Sequence, residues 1–113
     1  MKAFRILLLT FVLLLGISNS AFALGFNLLN DSGKHIIGFY ATPVNSNNWN
    51  NNMVYPNGLR YGVTIGVNLG ANARYWKLKA VFSDGHINVC NSVDMSVCKK
   101  VIVRYDNWTL TRG

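Results

Sequence analysis

Tyr75-Trp76-Lys77-Leu78-Lys79-Ala80-Val81-Phe82 carries the clearest periodicity in the chain. Successive side chains of an extended strand point to opposite faces, so Trp76, Leu78, Ala80 and Phe82 share one face and Tyr75, Lys77, Lys79 and Val81 share the other. One apolar face and one basic, aromatic face is the pattern of a strand buried on one side only, as antiparallel sheets allow. The same alternation recurs on either side. Over Tyr61 to Leu69, Val63, Ile65, Val67 and Leu69 alternate with Thr64, Gly66 and Asn68, and the β-branched residues favour a strand. Val101, Val103 and Tyr105 alternate with Lys100, Ile102 and Arg104. Turn-forming clusters separate these runs. Asn30-Asp31-Ser32-Gly33 divides Phe26 to Leu29 from His35 to Tyr40, Gly70-Ala71-Asn72 and Ser83-Asp84-Gly85 follow two strands, and Asp106-Asn107 precedes Trp108 to Thr111. No sustained helical period and no internal repeat is seen beyond residue 23. The sequence therefore predicts an all-β domain, a small antiparallel β-sandwich or barrel of six to seven short strands.

Residues 1–23 read as a cleaved signal peptide. Lys2 and Arg5 give a positive start, Ile6 to Ile17 is apolar apart from Thr10 and Gly16, and Ala21-Phe22-Ala23 supplies the small residues of a cleavage site. A membrane span needs about 18 apolar residues in a row, and this run breaks earlier, at Ser18-Asn19-Ser20. The working molecule is then a single β-sandwich-like domain over 24–113, exported to a periplasmic or extracellular space and not membrane-spanning after cleavage. Loss of Lys2 and Arg5 leaves 9 of the 11 Lys+Arg against 4 Asp, a net charge of +5 with no Glu. In an exported protein that balance favours an anionic envelope component or an acidic protein as partner, not nucleic acid. Lys77 and Lys79, adjacent on the outer face of one strand, are the candidate contacts for such a partner.

Cys90 and Cys98 are the only cysteines; Cys90 closes the strand expected after Asp84-Gly85, Cys98 opens the segment leading into Val101 to Tyr105, and in an oxidising compartment the two are expected to form a disulfide across the Asn91 to Val97 excursion. Zinc is disfavoured because a lone His86-x3-Cys90 fits no well-specified ligand spacing, and the sequence points to no metal or other cofactor.

The one long connection, Thr42 to Gly58, holds Asn45, Asn47, Asn48, Asn50, Asn51, Asn52 and Asn57 with Trp49, Met53 and Tyr55 interleaved. Long loops on rigid β scaffolds often carry function. A Trp face flanked by side-chain amides suits a sugar ring, which makes Trp49, Asn48, Asn50 and Tyr55 candidate ligand-binding residues. The competing reading is that Trp49 tucks into the edge of the core and holds the loop down.

No catalytic constellation is predicted. Asp31, Asp84, Asp94 and Asp106 each sit within two residues of Asn, Ser or Gly in expected turns, and His35 and His86 each start an expected strand. Asn30-Asp31-Ser32 and Asn107-Trp108-Thr109 match the N-glycosylation acceptor pattern.

The order Phe26-Asn27-Leu28-Leu29-Asn30 with Gly33 and Ile36, then Tyr40-Ala41-Thr42-Pro43, Trp49, Gly62, Tyr75-Trp76-Lys77-Leu78-Lys79, Phe82, Asp84-Gly85 and Val93-Asp94-Met95 before Cys98, resembles a group of small exported bacterial β-domain proteins of unknown function. The resemblance implies a compact β domain in a bacterial envelope or secreted setting, and no activity. Three function classes follow: a non-catalytic binding or interaction module, a carbohydrate-binding protein using the Asn-rich loop, and a secreted inhibitor or effector acting on another protein.

Overall fold

The computed structural model describes residues 24–70 and 73–112. The leader predicted over 1–23 lies outside the described residues. Seven strands follow in order: β1 (Gly25–Asn30), β2 (Ile36–Pro43), β3 (Thr64–Asn68), β4 (Tyr75–Phe82), β5 (Ile87–Asp94), β6 (Lys100–Val103) and β7 (Trp108–Thr111). They form two sheets, β3-β1-β6-β7 and β2-β4-β5, which face each other as a small all-β sandwich. Among the described residues no helix is long and apolar enough to cross a membrane. All ladders are antiparallel except one: β1 runs parallel to β6, pairing Asn27 with Lys100 and Asn30 with Val103.

The alternation in β4 is realised as read. Trp76, Leu78, Ala80 and Phe82 are all buried, while Tyr75 is exposed and Lys77, Lys79 and Val81 are partly covered. Phe26 and Leu28 of β1, Val67 of β3, and Val101 and Val103 of β6 supply the opposing layer. Phe39 bridges the layers, its ring 6.3 Å from both Phe26 and Trp108 in tilted contacts that suit aromatic quadrupoles.

Two bulges set which residues reach this core. In β2, Ile36 pairs with Phe82 and Gly38 with Val81, so Ile37 is an extra residue and stands exposed. Without that insertion Ile36 and Phe39 would lie on opposite faces; with it, both are fully buried. In β5, Trp76 pairs with Val93 and Leu78 with Cys90, so Asn91 and Ser92 together oppose Lys77. The bulge turns both Cys90 and Val93 inward.

The second bulge bears on the cysteines. The expected Cys90–Cys98 disulfide is not formed; both thiols are free. Cys90 does not end its strand. It lies mid-strand against the core, and β5 runs on through the bulge to Asp94. Cys98 is buried in the following turn with its Sγ toward the Lys100 carbonyl. A different clasp holds this connection. Arg74 donates from Nε and Nη2 to the Asp94 carboxylate at 2.8 to 3.1 Å, Asp94 Oδ1 accepts from the Ser96 N–H and hydroxyl, and the Asp94 carbonyl accepts from the Cys98 N–H. The chain is therefore fixed where the disulfide was expected to act.

Asn30 shows a further departure. It reads as turn punctuation and as a glycosylation acceptor, yet it is fully buried at the point where the chain leaves one sheet for the other. Its Nδ2 donates to the carbonyls of Lys34 and Leu59, and its Oδ1 accepts from the Ser32 N–H and hydroxyl. A side chain with both ends so engaged is closed to a glycan in the folded domain.

Candidate functional site

The 44–63 connection between β2 and β3 is built in two parts. Its second part is a brace along the free edge of β2. Asn52 donates from Nδ2 to the Ile37 carbonyl and accepts from the N–H groups of Phe39 and Val54, the Met53 N–H reaches the Phe39 carbonyl, and Leu59 pairs with Ile36. Gly58 closes this brace at φ +75°, where a Cβ would collide with the Ile36 carbonyl and the His35 ring.

The first part folds over the outer face of the β2-β4-β5 sheet, and here two separate sets of predicted residues meet. Lys77 Nζ stands 5.1 Å and Lys79 Nζ 4.7 Å from the centre of the Trp49 ring. Lys79 Nζ is also 4.9 Å from the centre of the Tyr40 ring, contributed by the strand position directly opposite. All three distances are within the range of cation–π attraction, about 0.5 to 1 kcal/mol each at such partly exposed positions. Tyr40 in turn lies along its own strand over Gly38, whose Cβ position is 2.9 Å from the ring. Thr42, opposite Lys77 and placed on this outer face by the pleat, is fully buried. The connection therefore covers this part of the sheet.

Trp49 thus stands on the two lysines expected to meet a partner, and among the described residues it is not one of the side chains packed against the core. Asn48 and Asn50 shape the loop: Asn48 Oδ1 accepts from the Asn50 N–H at 3.0 Å, and Asn50 takes φ 64°, a conformation Asn tolerates. Tyr55 is 79% exposed in the braced part, and among the described residues no ring contact joins it to Trp49. A separate cleft of about 440 Å³ opens beside the loop, lined by Pro43, Asn50, Asn51, Met53 and Trp76 with Ala41 and Leu69.

The electrostatics of the outer face follow from where the acids went. Asp94 is bound by Arg74, which with Ser96 holds its carboxyl well below the usual carboxylate range. Asp84 accepts from the Tyr105 hydroxyl at 2.7 Å and from the His86 N–H; these bonds lower its pKa, and the same contact raises that of the Tyr105 hydroxyl. Asp31 lies 3.3 Å from Arg104, and Asp106 lies 3.5 Å from His86 Nε2. Among the described residues neither Lys77 nor Lys79 has a carboxylate partner. Compared with known proteins, the chain matches no family model, no curated protein and no solved structure.

Sequence reasoning missed Tyr40, because the bulge at Ile37 hides the outward phase of β2. It also missed the cluster at the opposite end, where His86 stacks on Tyr105 with ring centres 4.1 Å apart and its Nε2 lies 3.0 Å from the Tyr105 carbonyl oxygen. This cluster ties the β4–β5 turn to the β6–β7 turn. Among the described residues no group of three or more His, Cys, Asp or Glu could hold a metal.

Proposed function

We propose that this domain is an exported, non-catalytic binding module that engages an anionic polymer or headgroup surface of the cell envelope through the outer face of the β2-β4-β5 sheet. The observation that carries this reading is the pair of ammonium groups, Lys77 and Lys79, held over the Trp49 and Tyr40 rings with no carboxylate partner among the described residues, while Asp31, Asp84 and Asp94 are engaged elsewhere. Packing against the rings fixes where the two charges stand, so an anion meets ordered cations. The fixed aromatic edges add apolar contact for the ligand's carbon skeleton.

The test compares the native protein with a Lys77→Glu, Lys79→Glu double variant on an acidic polysaccharide and on vesicles containing phosphatidylglycerol. Neutral dextran and phosphatidylcholine vesicles are the controls. Native protein is expected to bind the anionic probes and to be released as salt shortens the Debye length to about 8 Å near physiological ionic strength. The double variant should lose that binding with its circular dichroism unchanged. Equal binding by both proteins, or native binding indifferent to salt, refutes the proposal.

A second reading rests on the cleft bordered by Asn50, Asn51, Pro43, Met53 and Trp76, whose mix of amides and apolar surface suits a neutral saccharide. Salt-insensitive recognition on a glycan array, lost in an Asn50→Ala, Asn51→Ala variant, would favour it.

A further inference from the structure

The sandwich has four sheet edges, and three are guarded. The β2 edge is covered by the Asn52 to Leu59 brace. The β5 edge is kinked by its bulge and tied across the sandwich by Asn88, which donates to the carbonyls of Arg104 and Asn107 and accepts from Trp108 Nε1. That last bond also tethers the start of β7, a four-residue strand with Arg112 directly after it.

Among the described residues the β3 edge has none of these devices. From Gly62 to Ala73 the chain contains no charged residue and no Pro, and the β1–β3 ladder runs without a bulge. The Val63 carbonyl accepts from the Asn30 N–H and the Leu69 N–H donates to the Leu24 carbonyl. Odd-numbered positions of the strand therefore bond to β1, and the alternation of an antiparallel ladder leaves the N–H and C=O of Thr64, Gly66 and Asn68 directed outward. All three residues are exposed. An open, uncharged strand edge is a template for another strand.

We propose that this edge pairs with the same edge of a second copy of the chain, antiparallel, about a two-fold axis at Gly66. The sequence of the strand names the occupant. Thr64-Ile65-Gly66-Val67-Asn68 reads polar, apolar, Gly, apolar, polar in both directions. Pairing about Gly66 sets Thr64 against Asn68 of the second copy on the outer face, where hydroxyl and amide hydrogen-bond, and sets Ile65 against Val67 of the second copy on the inner face. In a domain of net positive charge, a segment free of charge is also where a second copy approaches without repulsion. One five-residue ladder is smaller than a standard interface, so the dimer is transient and depends on concentration. This inference is independent of the anionic ligand proposed above.

Sedimentation equilibrium from micromolar to millimolar protein tests it. The native protein should shift from monomer to dimer over that range and go no further, because the pairing consumes the edge. Gly66→Lys puts two ammonium groups against each other at the axis. The monomer has room for the side chain, since the Cβ position at Gly66 meets only Asn27 Oδ1, at 4.0 Å. This variant should weaken dimerisation by about tenfold or more. Ser83→Lys adds the same charge to the exposed β4–β5 turn and should dimerise like the native protein. A native protein that stays monomeric throughout, or equal dimerisation of the two variants, overturns the proposal.

Discussion

Replacing Asn30 should cost this domain more than its place in an apparent turn suggests. The side chain makes four hydrogen bonds, to the carbonyls of Lys34 and Leu59 and from the Ser32 N–H and hydroxyl, from a fully buried position. Asn30→Ala removes all four. The Ser32 and Lys34 groups are only partly buried and recover water, and the Leu59 carbonyl keeps the Ile36 N–H. At roughly 0.5 to 1.5 kcal/mol net per bond, the loss is about 3 kcal/mol. In a domain whose whole stability is on the order of 5 to 15 kcal/mol, that loss lowers the melting temperature by more than about 10 °C. Asn30→Asp is the sharper probe. It keeps the volume and the Ser32 contacts but turns an oxygen toward two carbonyl oxygens, so it should cost at least as much as the alanine. Equilibrium urea unfolding measures both, with an unchanged dependence on denaturant showing that the folded and unfolded states remain comparable. If Asn30→Asp unfolds within about 1 kcal/mol of the native protein, the donor role assigned to Nδ2 is wrong.

Two further predictions concern the β5–β6 connection. Because Arg74 holds the Asp94 carboxyl below the unfolded value of about 3.9, its stabilisation is complete above that pH and disappears as pH falls through the folded value. Melting temperature should therefore fall on acidification below about pH 4, and Asp94→Asn should lower it at neutral pH while flattening the acid limb. Burial raises the pKa of both the Cys90 and Cys98 thiols, so the folded protein should react slowly with thiolate-selective reagents at neutral pH. Denaturant without reductant should release two titratable thiols, and reductant should leave the melting temperature unchanged; a titre of zero would restore the disulfide.

The strands legible in the sequence were those whose alternation is uninterrupted, β4 above all. Where a bulge shifts the phase by one residue, the reading slipped with it. Ile36 and Phe39 are both core residues at a spacing that plain alternation forbids, and Asn91-Ser92 looked like the end of a strand that continues to Asp94. The candidate site was half visible. Lys77, Lys79 and Trp49 each stood out by chemistry, but only the fold of the 44–63 connection brings the ring onto the lysines. Asn30 was misjudged because a local hydrogen-bonding residue reads the same whether its partners are solvent-side turn atoms or a carbonyl 29 residues away.

The parallel pairing of β1 with β6 governs when this fold can come into being. Asn27 finds its partner at Lys100, so the four-stranded sheet stays incomplete until the chain has been made beyond Lys100. A ribosome or a translocation channel delivers the N-terminal end first. Phe26 and Leu28 then wait uncovered while the segment that must shelter them is still being made or threaded. The closing contact joins residues far apart in sequence, and pairing of that kind slows folding. A product truncated anywhere before Lys100 is left as an unsealed half-sandwich, a substrate for proteases and holding chaperones.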